Sequence, residues 1–114
     1  MRVLLDHCMP RPFARLLVGH EVQTARALGW DDLSNGLLLA KIAESGKFDV
    51  MVTIDKSLAH QQSTRDLPLP VIVIRTTSNA IDILAVSAPE VLKLLGQALQ
   101  KRVYVVGSDA SRGS

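Results

Sequence analysis

The stretch VMVTIDKSLAHQ, residues 50–61, begins as an apolar strand and then meets an acid. Its first residues are apolar except for Thr53, and Asp55 follows where a buried strand would leave the core. The stretch MRVLLDHCMP, residues 1–10, repeats this pattern and places Asp6 after a second apolar run. Two buried strands that end on carboxylates indicate one of two roles. Either the acids cap the structures that follow, or they converge on one positively charged ligand.

The composition indicates one domain with an aliphatic core. The chain has 114 residues, of which 47% are hydrophobic, 21% charged and 4% aromatic, which excludes a disordered tail. The net charge of +2 is compatible with nucleic acid binding but does not require it. Cys8 is the single cysteine, so an internal disulfide is excluded and a reducing compartment fits. With no signal-peptide or membrane-spanning pattern in the sequence, we expect a cytoplasmic protein.

Short apolar runs alternate with helical patterns along the chain. Helices are expected after Pro10, at the alanine- and leucine-rich segment that Gly46 ends, at residues 79–86, and from Ser87, a predicted N-cap. Apolar strands that alternate with helices predict an α/β fold with a mostly parallel sheet covered on both faces. The predicted strands are residues 2–5, 21–25, 49–54, 71–74 and 103–106. The domain is predicted to span 1–106, followed by a flexible tail at 107–114.

Asp6 and Asp55 follow two different strands and should therefore lie at the same edge of the sheet. Ligands of open parallel sheets bind beyond the carboxyl ends of the strands, and neighbouring strands lie about 5 Å apart. Two such carboxylates can reach one cation, and carboxylate oxygens with waters suit Mg²⁺ or Mn²⁺. A metal there can activate water and orient a phosphodiester. This pattern favours phosphodiester hydrolysis, with helix or turn capping as the alternative.

Several motifs in this order also resemble the small prokaryotic PIN-like domains, relatives of the PIN ribonucleases and of the toxins of type II toxin–antitoxin pairs. The resemblance covers roughly residues 1–95. It is carried by LLDHCMP at 4–10, GHEVQTARALGW at 19–30, SNGLLL at 34–39, TIDKSL at 53–58 and the pair Gln61-Gln62.

The resemblance implies a three-layer PIN-like fold with strand order 3-2-1-4-5 and a metal-dependent ribonuclease centre. Asp6 and Asp55 match the family's metal-binding acids, and Asn35 falls where many relatives have an acid. The implied catalytic set is therefore Asp6, Asp55 and Asn35, with Mg²⁺ or Mn²⁺ as cofactor and a metal-bound water attacking the phosphodiester. RNA is the implied substrate. A cognate antitoxin is an implied partner, and a homodimer is a candidate assembly.

The sequence departs from the family pattern at several positions. His7 and Cys8 stand where relatives commonly have Glu and Asn, and Leu37 stands where Asn-Gly is often followed by Glu. PIN nucleases gather three or four acids, whereas two clear ones are present here. Asp31 or Asp32 is a candidate for a third. A second hypothesis is therefore a catalytically degenerate PIN-like module that binds RNA or a protein partner.

Four other residues are candidates for substrate binding. His7, beside Asp6, fits a ligand or general acid, or else a turn residue. Lys56 and Arg75 follow strand ends and could meet phosphate, or be solvated. Trp30 lies in a polar segment, where it is either packed under the helix that follows or exposed as an anchor for a base or a protein partner.

A third hypothesis is a response-regulator receiver domain, which is also doubly wound and of similar length. Asp6, Asp55 and Thr76 would occupy the positions of its first acid, its phospho-acceptor and its conserved hydroxyl. Receivers usually carry an acidic pair at the first position, where this chain has His7 after the acid. They also carry a Lys after the fifth strand, whereas Lys101 precedes the last predicted strand.

Overall fold

The structure is a computed structural model that describes residues 1–60 and 67–107. The described residues form an α/β fold around a five-stranded, all-parallel sheet. The elements in chain order are β1 (Arg2–Leu5), a 3₁₀ helix (Arg11–Leu16), β2 (Glu21–Thr24), α1 (Asn35–Ser45), β3 (Val50–Thr53), α2 (Ser57–His60), β4 (Val71–Ile74), α3 (Ile81–Leu84), a second 3₁₀ helix (Ala85–Ser87), α4 (Ala88–Leu95) and β5 (Val103–Val106).

The strand order is β2-β1-β3-β4-β5, which differs from the expected order 3-2-1-4-5. Within the described ranges, β2 is the one strand that lies outside β1. Among the described residues, the chain between β2 and β3 contributes α1 but no further strand, and it then crosses to the other side of β1. Leu5 pairs with Thr24 on one side and with Val52 on the other. The carboxyl ends of β1, β2 and β3 therefore lie together at one edge.

The sheet is covered on both faces, as the sequence predicted. Successive strand residues point to opposite faces, so Leu5 packs in one hydrophobic cluster and Leu4 in the other. Helical segments cover each face. The first face packs against Phe13, Leu17, Leu84, Val91 and Leu95, and the second packs against Leu38, Leu39, Ile42 and Leu58. Burying aliphatic strands between two layers removes their side chains from water and is the main source of stability.

The ends of the helices follow the sequence in part. Gly46 ends α1 in the left-handed region with φ of 63°, as predicted for a C-cap glycine. The segment after Pro10 is a 3₁₀ helix rather than an α-helix. Ser87 was predicted as the N-cap of α4, but its side chain makes no cap hydrogen bond. The preceding 3₁₀ helix, which ends at Ser87, already brings the chain into α4 in a helical conformation.

None of the helices in the described ranges has the length and apolar content needed to span a bilayer.

Two predictions concern residues outside the described ranges. They involve the pair Gln61-Gln62, which is part of the PIN-like resemblance, and the tail from 108 to 114. Gly107, the first residue of the predicted tail, is described; it is buried and directly follows β5.

Candidate functional site

The candidate site lies at the carboxyl ends of β1 and β3. From β1 the chain goes to β2 on one side and later returns to β3 on the other, so the gap between β1 and β3 is the topological switch point of the sheet. Asp6 directly follows β1, and Asp55 lies two residues after the end of β3. The sequence therefore predicted correctly that both acids lie at this edge.

Asp6 is buried, with 1% of its surface exposed, and both of its carboxylate oxygens have hydrogen-bond partners. Oδ1 accepts the backbone N–H of His7 at 2.7 Å and lies 3.0 Å from His7 Nδ1. Oδ2 accepts the hydroxyl of Thr53 at 2.8 Å and lies 3.7 Å from the Cys8 sulfur. A buried carboxylate needs such donors to offset its loss of hydration.

Thr53 connects the two acids. Its side chain is fully buried, and its Oγ1 donates to Asp6 while accepting the backbone N–H of Asp55 at 3.0 Å. The Cys8 sulfur lies 3.4 Å from the same oxygen. From the sequence, Thr53 interrupts an apolar strand and opens the TIDKSL motif of the resemblance, but it was given no role in the site. A hydroxyl residue inside an otherwise aliphatic strand is the signal that could have identified it, because a buried hydroxyl requires partners.

Asp55 is partly buried, and both of its carboxylate oxygens accept hydrogen bonds. Its Oδ1 accepts the backbone N–H of Ser57 at 3.0 Å and the Ser57 hydroxyl at 2.7 Å, and its Oδ2 accepts the Asn35 amide at 2.8 Å. The Asn35 hydrogen bond, which outweighs the effect of partial burial, and the Ser57 hydrogen bonds lower the pKa of Asp55. The carboxyl is therefore ionised at neutral pH. The bonds to Ser57, at the start of α2, also show that Asp55 has the capping role given as the alternative.

Asn35 joins this cluster from the start of α1. It is the first residue of α1, and its Nδ2 reaches both Asp55 Oδ2 and, at 3.4 Å, the hydroxyl of Ser57. The start of α1 is thereby tied to the loop after β3. Three predicted catalytic residues, Asp6, Asp55 and Asn35, therefore belong to one network linked through Thr53.

A cleft of about 460 Å³ opens beside Asp6, between the ends of β1 and β2. Its walls include the DHC segment at residues 6–8 together with Arg11, Arg26 and Asn79. Both arginines are exposed. The cleft thus places two exposed positive charges beside a buried acid, and the arginines suit an anionic ligand such as a phosphodiester.

Cys8 lines this cleft but lacks the character of a nucleophile. Burial raises the pKa of the Cys8 thiol, and Asp6 raises it further, whereas hydrogen bonds with Thr53 and the backbone of Ile54 oppose the shift. The sulfur is therefore a neutral thiol at pH 7. A thiol is a weak hydrogen-bond donor, which matches its position beside the Asp6 carboxylate.

The other candidates lie outside the network or at its margin. His7 contacts Asp6, but 47% of its side chain is exposed. Lys56 and Arg75 are exposed, and neither side chain has a hydrogen bond or ion pair with another described residue. Trp30 is half-buried and packs edge-on against Phe48, with ring centroids 6.2 Å apart. This contact supports the packed alternative for Trp30.

The donor set fits a hydrated Mg²⁺ or Mn²⁺ by its chemistry, because both acids offer hard oxygen ligands. No group of three or more His, Cys, Asp and Glu side chains in the described part of the chain could hold a metal, so neither Asp31 nor Asp32 adds a third acid to such a group. Oδ2 of Asp55 accepts one bond, and Oδ2 of Asp6 has only a long thiol contact besides Thr53. These two carboxylate oxygens are therefore the residues' candidate ligands for a cation.

Comparisons with protein-family models, with curated proteins and with solved structures each find no match for this chain.

Proposed function

We propose that this chain is a cytoplasmic PIN-like protein that acts as a metal-dependent ribonuclease. One observation carries the proposal: Asp6, Thr53, Asp55 and Asn35 form a continuous hydrogen-bonded network at the switch point of the sheet. A toxin role with a cognate antitoxin, and assembly as a homodimer, rest on the sequence resemblance alone. The same holds for RNA as the substrate.

The strand order is compatible with a reduced PIN-like fold. If the outermost strand is removed from the order 3-2-1-4-5 and the rest are renumbered, the remaining strands run 2-1-3-4. The first four strands of this protein have that order, and β5 extends the sheet beside β4. On this proposal, the acids after the first and third of these strands correspond to the family's two strand-end acids.

Each residue of the site would have a distinct role in the reaction. Asp6 and Asp55 would hold the divalent cation, which when bound supplies Lewis-acid activation of the phosphodiester. Asn35 orients the Asp55 carboxylate, and its hydrogen bond helps keep that group ionised. Arg11 and Arg26, in the walls of the cleft, would attract and position the phosphate. Thr53 holds the two acids in register.

A cleavage assay on single-stranded RNA tests the proposal. Protein freed of contaminating ribonuclease should cleave with Mn²⁺ or Mg²⁺ and stop with EDTA. Asp6→Asn and Asp55→Asn should each lower the rate on the order of 100-fold or more, because even outer-shell partners of metals contribute 10–100-fold. Asp82→Asn, an exposed acid in the first turn of α3, is the matched control and should retain the rate. Absence of metal-dependent cleavage by the wild-type protein would overturn the mechanism.

A PIN-like module that binds RNA without cleaving it is the second candidate. It is favoured by the burial of Asp6, whose carboxylate is 1% exposed and already has donors at both oxygens. This function requires RNA binding that is equal in EDTA and in Mn²⁺, together with no turnover. The wild-type protein and the variants of the cleavage assay therefore decide between a ribonuclease and an RNA-binding module.

A receiver domain is the third candidate, favoured by one observation. The order 2-1-3-4-5 is also that of flavodoxin-like receivers, with the site at the β1/β3 switch point. Against it, the Thr76 hydroxyl donates to the carbonyl of Ser78 and makes no bond to Asp55. Incubation with acetyl phosphate, followed by mass analysis, would reveal a phosphorylated Asp55 if this candidate were correct.

A further inference from the structure

A second cavity continues from the cleft beside Asp6. It has a volume of about 800 Å³ and lies between the first 3₁₀ helix and the outer strand β2. Three residues, Arg11, Thr24 and Ala27, line both cavities, so the two adjoin. Together they form a trough that runs from Asp6 across the end of β2 and along the 3₁₀ helix.

Three arginines line this trough: Arg11 on both cavities, Arg26 on the first and Arg15 on the second. All three are exposed, and none has a side-chain hydrogen bond or ion pair with another residue in the described ranges. Asp6 is the one acid among the described lining residues, and it is almost wholly buried. The surface of the trough is therefore positively charged along its length.

Local packing keeps these arginines at the trough. Phe13, which lies between Arg11 and Arg15 in the 3₁₀ helix, is fully buried in the first hydrophobic cluster. This anchor fixes the helix against the sheet and leaves its arginines in solvent. After β2, the hydroxyl of Thr24 accepts the backbone N–H of Ala27 at 3.0 Å. That bond holds the turn that carries Arg26.

We propose that this arginine trough, defined by Arg11, Arg15 and Arg26, binds the sugar–phosphate backbone of a single-stranded nucleic acid. The strand would extend from Asp6 toward β2 and the first 3₁₀ helix. The inference rests on the proposed function for the class of ligand. No Phe, Tyr or Trp side chain is among the described lining residues. His7 is therefore the one aromatic ring there, and the stronger stacking partners that usually add affinity beside charge are missing. Binding therefore depends on phosphate contacts and is insensitive to base sequence.

Salt dependence measures this mode of binding. Each phosphate neutralised on a single strand contributes about −0.7 to the slope of log K against log salt, so three arginines predict a slope of about −2. Fluorescence anisotropy with labelled twelve-nucleotide oligouridylate and oligoadenylate in EDTA measures the slope without any metal. We expect equal affinity for both sequences, and similar affinity for DNA of the same length because the shared ligand is the phosphodiester.

The triple variant Arg11→Gln, Arg15→Gln and Arg26→Gln should weaken binding at low salt by at least about 30-fold and bring the slope close to zero. The control triple variant Lys41→Gln, Lys47→Gln and Lys93→Gln removes the same charge. Its lysines are exposed on α1, after α1 and on α4. It should retain more than half of the wild-type affinity and a slope near −2.

The inference is overturned if the arginine variant binds as the wild type does, if the lysine variant loses as much affinity, or if duplex RNA binds as tightly as the single strand. The binding experiment and the cleavage assay test the trough and the ribonuclease activity independently. Binding that is lost in the arginine variant supports the trough even if no metal produces cleavage. Conversely, a wild type that cleaves RNA, with an arginine variant that binds normally, supports the ribonuclease and refutes the trough.

Discussion

Replacing Thr53 with valine tests whether the buried hydrogen-bonded network stabilises the fold. Valine has nearly the same shape as threonine, so the change removes the hydroxyl with little loss of packing. The Asp6 carboxylate would lose a donor at 2.8 Å, and the N–H of Asp55 would lose an acceptor at 3.0 Å. Thr53 is fully buried, so water cannot easily replace either bond.

The expected loss follows from these two bonds. A hydrogen bond to a charged group contributes about 1.5–3 kcal/mol, and an unsatisfied, partly buried backbone N–H costs about 1 kcal/mol. The free energy of unfolding should therefore fall by about 2.5–4 kcal/mol in Thr53→Val. This is a large part of the 5–15 kcal/mol that is typical of domains.

Urea unfolding followed by circular dichroism measures the change. With a slope of about 1.5 kcal/mol per molar urea, the midpoint should fall by about 2 M. Thr53→Ser is the matched control, because it keeps the hydroxyl and removes only a buried methyl group. That loss should be about 1 kcal/mol. The order of stability should therefore be wild type, then Thr53→Ser, then Thr53→Val.

A Thr53→Val variant as stable as Thr53→Ser, or one that loses less than about 1 kcal/mol, would refute the stabilising role of the Thr53 hydroxyl. Such a result would mean that Asp6 obtains its stabilisation elsewhere and that Thr53 does not couple the two acids. The proposed role of Thr53 in the ribonuclease site would then fail as well, since it depends on the same hydrogen bonds.

Three further predictions concern the ends of the strands and helices. Asn35→Ala should raise the pKa of Asp55 toward the ordinary value, measured by carboxyl NMR titration, because the amide is the main cause of the lowering. Folding lowers the pKa of Asp55, so its ionised carboxylate stabilises the folded protein at neutral pH, and this stabilisation is lost as the pH falls through the folded-state pKa. The stability of Asn35→Ala should therefore depend less on pH in the acid range. Gly107→Ala should lower the thermal midpoint, because a Cβ there would lie 2.5 Å from a backbone carbonyl at φ of 116°, whereas Gly36→Ala, with open space, should not. Cys8 should react with iodoacetamide at pH 7 more slowly than free cysteine, because burial raises its thiol pKa; an equal rate would contradict this.

Much of the fold was predictable from local sequence patterns. The strands at Arg2–Leu5, Val71–Ile74 and Val103–Val106 have the predicted bounds, because runs of aliphatic and β-branched residues bounded by polar ones identify buried strands well. Gly46 ended α1 as expected, since its φ of 63° suits glycine. Ser87 lies at the predicted N-cap position of α4 but makes no side-chain cap hydrogen bond, because the 3₁₀ helix before it already brings the chain into α4 in a helical conformation.

The strand order could not be obtained in this way. It depends on which side of β1 the chain returns to after α1, and many crossovers satisfy the same local patterns. The resemblance supplied the order 3-2-1-4-5, whereas the sheet formed by residues 1–60 and 67–107 has β2 alone outside β1. Both orders place Asp6 and Asp55 at the same edge, because the strands are parallel.

The sequence by itself determined that two buried strands end on Asp6 and Asp55, since apolar runs interrupted by an acid are visible along the chain. Only the tertiary structure decided what each carboxylate contacts. Asp6 meets Thr53 across 47 positions of sequence, and Asp55 meets Asn35 across 20. Hydrogen bonds act over about 3 Å in space whatever the separation along the chain, so these partners became identifiable only once β1, β3 and α1 were packed together.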